Sequence, residues 1–305
     1  PAAPPPARGP PAGRGPRATP PATDPLPVLF AQACAQNQVK DGLELLAVAA
    51  RMRVGAGSPR MREPVRFSQG FAGPTLVCVP SVMAPSNVYQ YARTADTLRT
   101  THNMAVLSLP GYADHESLHR TRTDLVAAVA ETVLSHVSGP YVLVGYSSGG
   151  WIAHAAAARL KDLGTAPESL VLLDSHLPGS TGLAEIQSDL LGDAYAEWTA
   201  TQPPRGAELT AMAHHLQLFD DWAPTDIDGV STLLLRATGR MGGQPRTGER
   251  RRAHWGPEHD AVDVPGTHLS MIDEHAASTA SAISGWLARR PARPPHTDPI
   301  GQEAP

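Results

Sequence analysis

The chain has 305 residues, 41% of them hydrophobic and 18% charged, enough for one large or two small globular domains with a sizeable core. A formal net charge of −4 leaves no basic footprint for nucleic acid, and no uninterrupted apolar run approaches the length of a membrane span. Cys34 and Cys78 lie far apart, Cys78 within an apolar run, which predicts reduced thiols in a cytoplasmic protein and no disulfide.

Residues 1–27 hold 11 of the 31 prolines. Such a segment cannot bury a core, so 1–25 is expected to be a disordered linker following an upstream domain. From Leu26 to Val54 the pattern is helical: Leu43, Leu46, Ala47 and Ala50 recur at i, i+3, i+4 and i+7, while Leu45, Val48 and Met52 widen the apolar face. Residues 26–58 therefore read as N-terminal helices, packed either on the chain's own core or against a second copy.

Strands and helices then alternate. Thr75–Val79, Met104–Leu109, Tyr141–Gly145, Ser169–Asp174, Thr232–Ala237 and Ala261–Val264 read as strands, and 87–99, Glu116–His136, 149–163 and Ser270–Arg289 as helices. Continuous apolar strands between helices predict an α/β fold with a mostly parallel sheet covered on both faces. More than fifty residues between Asp174 and Thr232 carry no strand pattern but contain two helical stretches, Ala184–Ala200 and Glu208–Phe219. An insertion there lies above the C-terminal edge of the sheet, so 178–222 is expected to be a helical lid. Its Arg205, His214, His215 and Gln217 either bind polar groups of a substrate or face solvent. The Pro- and Arg-rich tail, 291–305, is expected to be disordered.

One stretch organises the rest: Gly145-Tyr146-Ser147-Ser148-Gly149-Gly150, set between a β-branched strand and an alanine-rich helix. G-x-S-x-G in a strand–turn–helix context raises a nucleophilic serine on a tight turn. Gly145 and Gly149 lack the Cβ atoms that would collide where strand and helix cross, and the Ser148 amide opens the helix where an oxyanion would form. With Ser147 as nucleophile, the partners should follow in the order acid, then histidine. His268 lies in the turn Pro265-Gly266-Thr267-His268 between the last strand and the last helix, the one of 13 histidines so placed. His154, one turn into the nucleophile's helix, reads as structural. Thr238–Gln244 offers no carboxylate after the penultimate strand, which leaves Asp174, closing the strand after that of Ser147, as the acid. The second oxyanion donor is expected from the backbone amide of Val82, in the loop after the first core strand. No C-x-x-C, P-loop or G-x-G-x-x-G opening a helix after a strand occurs, and no metal site is expected.

From about Arg60 to Arg290 the chain resembles the terminal thioesterase domains of modular polyketide synthases. The resemblance is carried by Gly145–Gly150, Leu170–Asp174 with Pro178-Gly179, Trp255-Gly256-Pro257-Glu258-His259 and Val264-Pro265-Gly266-Thr267-His268-Leu269-Ser270-Met271. It implies an α/β-hydrolase core with a helical lid and Ser147, Asp174 and His268 as catalytic residues. It also implies N-terminal helices that form a homodimer, no bound cofactor, and a substrate delivered on the phosphopantetheine arm of an upstream acyl carrier protein. Tyr146 and Ser148 stand where the family commonly has His and Ala, and Ser81-Val82 where it often has Gly-Thr; Tyr146 is therefore expected to alter the pocket's shape. The expected reaction is acyl transfer to Ser147 and release by water as a linear acid. Macrolactone formation, a free-standing editing thioesterase or esterase, and an inactive carrier-docking module are the alternatives.

Overall fold

A computed structural model describes residues 24–55, 57, 59–71, 73–84, 86–180, 183, 203–239 and 252–290. The proline-rich start up to residue 23, the expected helix Ala184–Ala200 and the tail from 291 lie outside these residues. The apolar runs become β2 (Thr75–Val79), β3 (Asn103–Val106), β4 (Tyr141–Tyr146), β5 (Ser169–Leu173), β6 (Ser231–Ala237) and β7 (Asp260–Val264), all parallel. β1 (Val65–Ser68) runs antiparallel at one edge, giving the order β1-β3-β2-β4-β5-β6-β7. At the centre Val77 faces Leu143, and Leu143 faces Leu170.

Both faces of the sheet are covered, which is why its strands read as continuous apolar runs. Val77, Val79, Leu143, Leu170 and Leu172 point to one face and pack against α4 (Arg122–His136) and α5 (Gly149–Asp162). Their neighbours Cys78, Val142, Val144, Val171 and Leu173 point to the other, against α3 (Ala92–Leu98) and α7 (Ala276–Ala288). Tyr146, at the end of β4, belongs to this second side.

Several boundaries differ from expectation. β1 gave no usable signal, because it has four residues and its first two, Val65 and Arg66, are exposed at the sheet edge. α4 starts at Arg122 because Thr121 and Asp124 form a capping box, each side chain accepting from the other's amide. The N-terminal helix is a hairpin: α1 (Leu26–Ala35) turns through Asn37, at φ 57°, into α2 (Val39–Ala50) and a short 3-10 turn, Arg51–Arg53.

This hairpin packs on α6 (Gly206–Leu218), where Phe30, Leu46 and Ala47 bury against Leu209, Met212 and Ala213. The Asp24 carboxylate accepts from the Gly206 amide at 2.7 Å, satisfying an otherwise orphan donor at the start of α6. Val28, Leu29, Leu45, Val48 and Met52 stay exposed on the hairpin's other side. Among the described residues, no helix is long and apolar enough to cross a membrane.

Candidate active site

β4 delivers Ser147 to the C-terminal edge of the sheet, and α5 begins two residues later. The turn is tight enough that a Cβ on Gly145 would lie 2.4 Å from the Gly150 Cα, and one on Gly149 would lie 2.4 Å from the Pro80 carbonyl oxygen. Ser147 itself sits at φ 54°, a left-handed conformation that costs a β-carbon residue on the order of 1–3 kcal/mol. Its amide donates to the Leu173 carbonyl at 2.9 Å, and its carbonyl accepts from the Gly150 amide at 3.0 Å. The elbow is thus held from β5 and from α5 at once.

Asp174 closes β5, fully buried and also left-handed at φ 44°. Its Oδ1 accepts from the Ala237 amide at the end of β6 at 3.0 Å, and its Oδ2 lies 2.9 Å from His268 Nδ1. His268 Nε2 lies 3.0 Å from Ser147 Oγ. A carboxylate only accepts, so the imidazole carries its proton on Nδ1 and turns the lone pair of Nε2 toward the serine hydroxyl. The three residues expected to act together therefore meet at one rim of the sheet. β6, which no carboxylate follows in Thr238–Gln244, supplies instead the amide that fixes the acid of β5.

The His268 turn is sewn to its surroundings. Gly239 N–H donates to the Gly266 carbonyl at 2.7 Å, and Thr267 N–H to Ser270 Oγ at 2.8 Å. Tyr146 OH donates to the His268 carbonyl at 2.8 Å, and the two rings stack with centroids 5.1 Å apart. Burial, with the Asp174 charge nearby, pushes the Tyr146 hydroxyl far above its usual range, so it remains a neutral donor. Tyr146, expected to shape the pocket, thus contacts His268 through both its hydroxyl and its ring.

The oxyanion side also differs from expectation. The Ser148 amide lies at the N-terminus of α5. The Val82 amide does not stand open beside it but donates to Ser148 Oγ at 3.0 Å. Ser148 Oγ is 3.1 Å from Ser81 Oγ, which accepts from the Met83 amide at 3.2 Å. Tyr112 OH donates to the Val82 carbonyl at 2.5 Å.

The residues expected to bind polar groups or face solvent divide. Arg205 and Gln217 are exposed; Arg205 donates to the Tyr112 carbonyl at 2.9 Å and pairs with Glu208. His214 and His215 are buried, contrary to the solvent-facing reading. His214 Nε2 lies 2.7 Å from the His119 carbonyl, and the His215 ring stacks on Tyr112. Desolvation lowers His215 to about 3. His154 packs between Trp222 and Trp255, lowered by burial to about 4, as suits a structural residue.

Two features had escaped the sequence reading. Arg53 reaches across from the N-terminal hairpin and donates to the carbonyls of Gly111, Ala113, Glu116 and Ala207 and to Thr210 Oγ1, at 2.6–3.1 Å. It ties α6 to the loop after β3; no local pattern announces such a contact. The second is His115-Glu116-Ser117-Leu118-His119, which carries the H-E-x-x-H spacing. That spacing holds zinc only on a helix, where i and i+4 share a face. Here the segment is an irregular loop, and the Glu116 carboxylate accepts from the Gly111 and Ala113 amides and pairs with Arg62. Among the described residues, no group of three or more His, Cys, Asp or Glu side chains is placed to hold a metal ion.

Residues 74–287 match the model of the thioesterase domain family. The chain belongs to the thioesterase domain family. Relatives of this thioesterase include polyketide synthase GfsE of Streptomyces halstedii, 38% identical over 85% of the chain, and the spectinabilin polyketide synthase system protein NorC of Streptomyces orinoci, 36% identical over 85%. The chain spans only 7% and 12% of the lengths of those two proteins. Among solved structures, the NocB thioesterase domain from the nocardicin cluster is 23% identical, with a TM-score of 0.58 over 74% of this chain and 99% of its own. YbtT, a type II thioesterase, is 18% identical with a TM-score of 0.54 over 73% and 97%. These likenesses establish the thioesterase's α/β-hydrolase fold. The matched span runs from the residue before β2 to the penultimate residue of α7 and leaves the hairpin α1–α2 outside it.

Proposed function

We propose that this thioesterase takes a polyketide acyl chain from the phosphopantetheine thioester of an upstream acyl carrier protein and releases it as a linear acid. The observation that carries this reading is the unbroken hydrogen-bonded line from Ser147 through His268 to the buried Asp174. The polyketide synthase relatives support the choice of substrate.

In the proposed reaction, Ser147 Oγ attacks the thioester carbonyl carbon while His268 Nε2 takes its proton. Asp174 holds the imidazole tautomer and stabilises the imidazolium without itself becoming protonated. The tetrahedral intermediate collapses, the C–S bond breaks, and His268 returns the proton to the departing thiol. Water then attacks the acyl ester with His268 as base, which yields the carboxylic acid and restores Ser147. A hydroxyl of the same chain in place of that water would yield a macrolactone; hydrolysis is proposed because water needs no positioned substrate hydroxyl. The segment 178–222, with α6, would act as the lid that shapes the channel.

A fluorophosphonate tests the enzyme reading. One adduct per chain on Ser147, absent in Ser147→Ala, is expected; no adduct on the native chain overturns it in favour of a docking module. Mass spectrometry of the product from a long hydroxyacyl thioester separates acid from lactone. The exposed apolar side of α1–α2 is the proposed dimer surface. Val48→Asp should convert a sedimenting dimer to monomer, and a monomeric native chain rejects that surface.

A further inference from the structure

Given the acyl-enzyme chemistry proposed above, on which this rests, we propose that the side-chain hydroxyl of Ser148 is itself a catalytic hydrogen-bond donor to the thioester oxyanion. The Val82 amide would then act through it rather than directly.

The expected arrangement, two backbone amides converging on one oxygen, requires the Val82 N–H to be open. It is not: it points at Ser148 Oγ, 3.0 Å away. The loop is fixed from every side. Tyr112 OH holds the Val82 carbonyl, the Met83 amide is held by Ser81 Oγ, and the Ser81 amide by Gln90 Oε1 at 2.9 Å. Val82 is also buried, so its amide has no room to swing toward a substrate.

Proton accounting leaves room for that role. Ser148 Oγ accepts from Val82 and Ser81 Oγ accepts from Met83, which leaves two hydroxyl protons for a single gap of 3.1 Å between the oxygens. Only one can lie in that gap. Either hydroxyl can supply it; where Ser81 does, Ser148 Oγ receives two hydrogen bonds and its own proton is left to turn to the oxygen that develops beside the Ser148 amide. Each bond received makes that proton a stronger donor. One residue would thus hold the oxyanion by both its N–H and its O–H.

The test is Ser148→Ala in the full chain, with a pantetheine thioester as substrate and an acyl trifluoromethyl ketone as transition-state mimic. The mimic forms an oxyanion with Ser147; the matching methyl ketone, which remains a ground-state carbonyl, is the control. The expected result is a fall of about 100-fold in kcat/KM, mostly in kcat, the loss typical of removing one oxyanion donor. Affinity for the trifluoromethyl ketone should fall in parallel, with methyl ketone binding unchanged. Ser148→Cys, nearly the same size but a weak donor, should lose at least about tenfold. Activity that is unchanged or raised in Ser148→Ala would show that the hydroxyl merely occupies the Val82 amide, and overturns the proposal. A fall in kcat/KM without loss of trifluoromethyl ketone affinity overturns it as well. Native enzyme that neither turns over thioester nor binds fluorophosphonate would instead defeat the acyl-enzyme reading, so the two failures are distinct.

Discussion

Replacing Asp174 with Asn alters one atom of a carboxylate whose two oxygens each meet a named partner. Oδ1 is held by the Ala237 amide at 3.0 Å, and only an oxygen can accept there. The new NH2 must therefore face His268 Nδ1, 2.9 Å from the present Oδ2. It donates, so Nδ1 becomes the acceptor and the ring proton moves to Nε2, which then cannot receive the Ser147 proton. The imidazolium of the transition state also loses its carboxylate. At 2.9 Å and an effective dielectric near 20 that attraction is about 6 kcal/mol, equivalent to about four decades in rate. Thiol release from a pantetheine thioester, followed by colorimetry, should show kcat of Asp174→Asn about 10⁴-fold below native with KM little changed. An unaltered melting temperature would show that the fold is intact. Turnover within tenfold of native would refute both the tautomer argument and the assignment of Asp174 as the acid.

Three further outcomes follow from the packing. Gly149→Ala places a Cβ 2.4 Å from a backbone oxygen of Pro80, which cannot yield like a side chain, so the chain should lose at least about 3 kcal/mol in urea unfolding; a loss under about 1 kcal/mol would contradict so tight an elbow. Arg53→Ala removes charge-assisted hydrogen bonds to the loop after β3 and to α6. A cost of about 3 kcal/mol corresponds to a melting temperature lower by about 6–12 °C, with Arg53→Lys recovering only part, and an unchanged melting temperature would disprove the clamp. Burial lowers His215 to about 3 and His154 to about 4, below the ordinary 6.5. Between those limits the unfolded chain binds protons that the folded chain refuses. Stability should therefore fall as pH drops from 6.5 toward 4, by about 1.4 kcal/mol per pH unit for each such histidine. His215→Phe should flatten a plot of melting temperature against pH, and an unchanged slope would reject this account.

What was legible in the sequence was what neighbouring residues specify. Six strands announce themselves because a sheet covered on both faces needs continuous apolar runs, and Ser147 because its turn demands glycines within two positions. Asp174 and His268 could be found because each ends or follows a strand at the same rim, so chain order and loop position sufficed. β1 was missed because four half-exposed edge residues have no periodic signature. Burial of His214 and His215 was missed because their partners lie in the loop after β3, His214 on the His119 carbonyl 95 positions away and His215 on the Tyr112 ring.

The tertiary structure alone decided the second layer of the site. It put Tyr146 OH on the carbonyl of a residue 122 positions away, Val82 N–H on a hydroxyl 66 away, and Arg53 on partners up to 157 away. A hydrogen bond between distant residues leaves no periodicity in either partner's neighbourhood, because direction and distance are settled only when the sheet assembles. Apolar burial is written locally, in the strands and helices that cover one another; polar direction is written only where the folded loops meet.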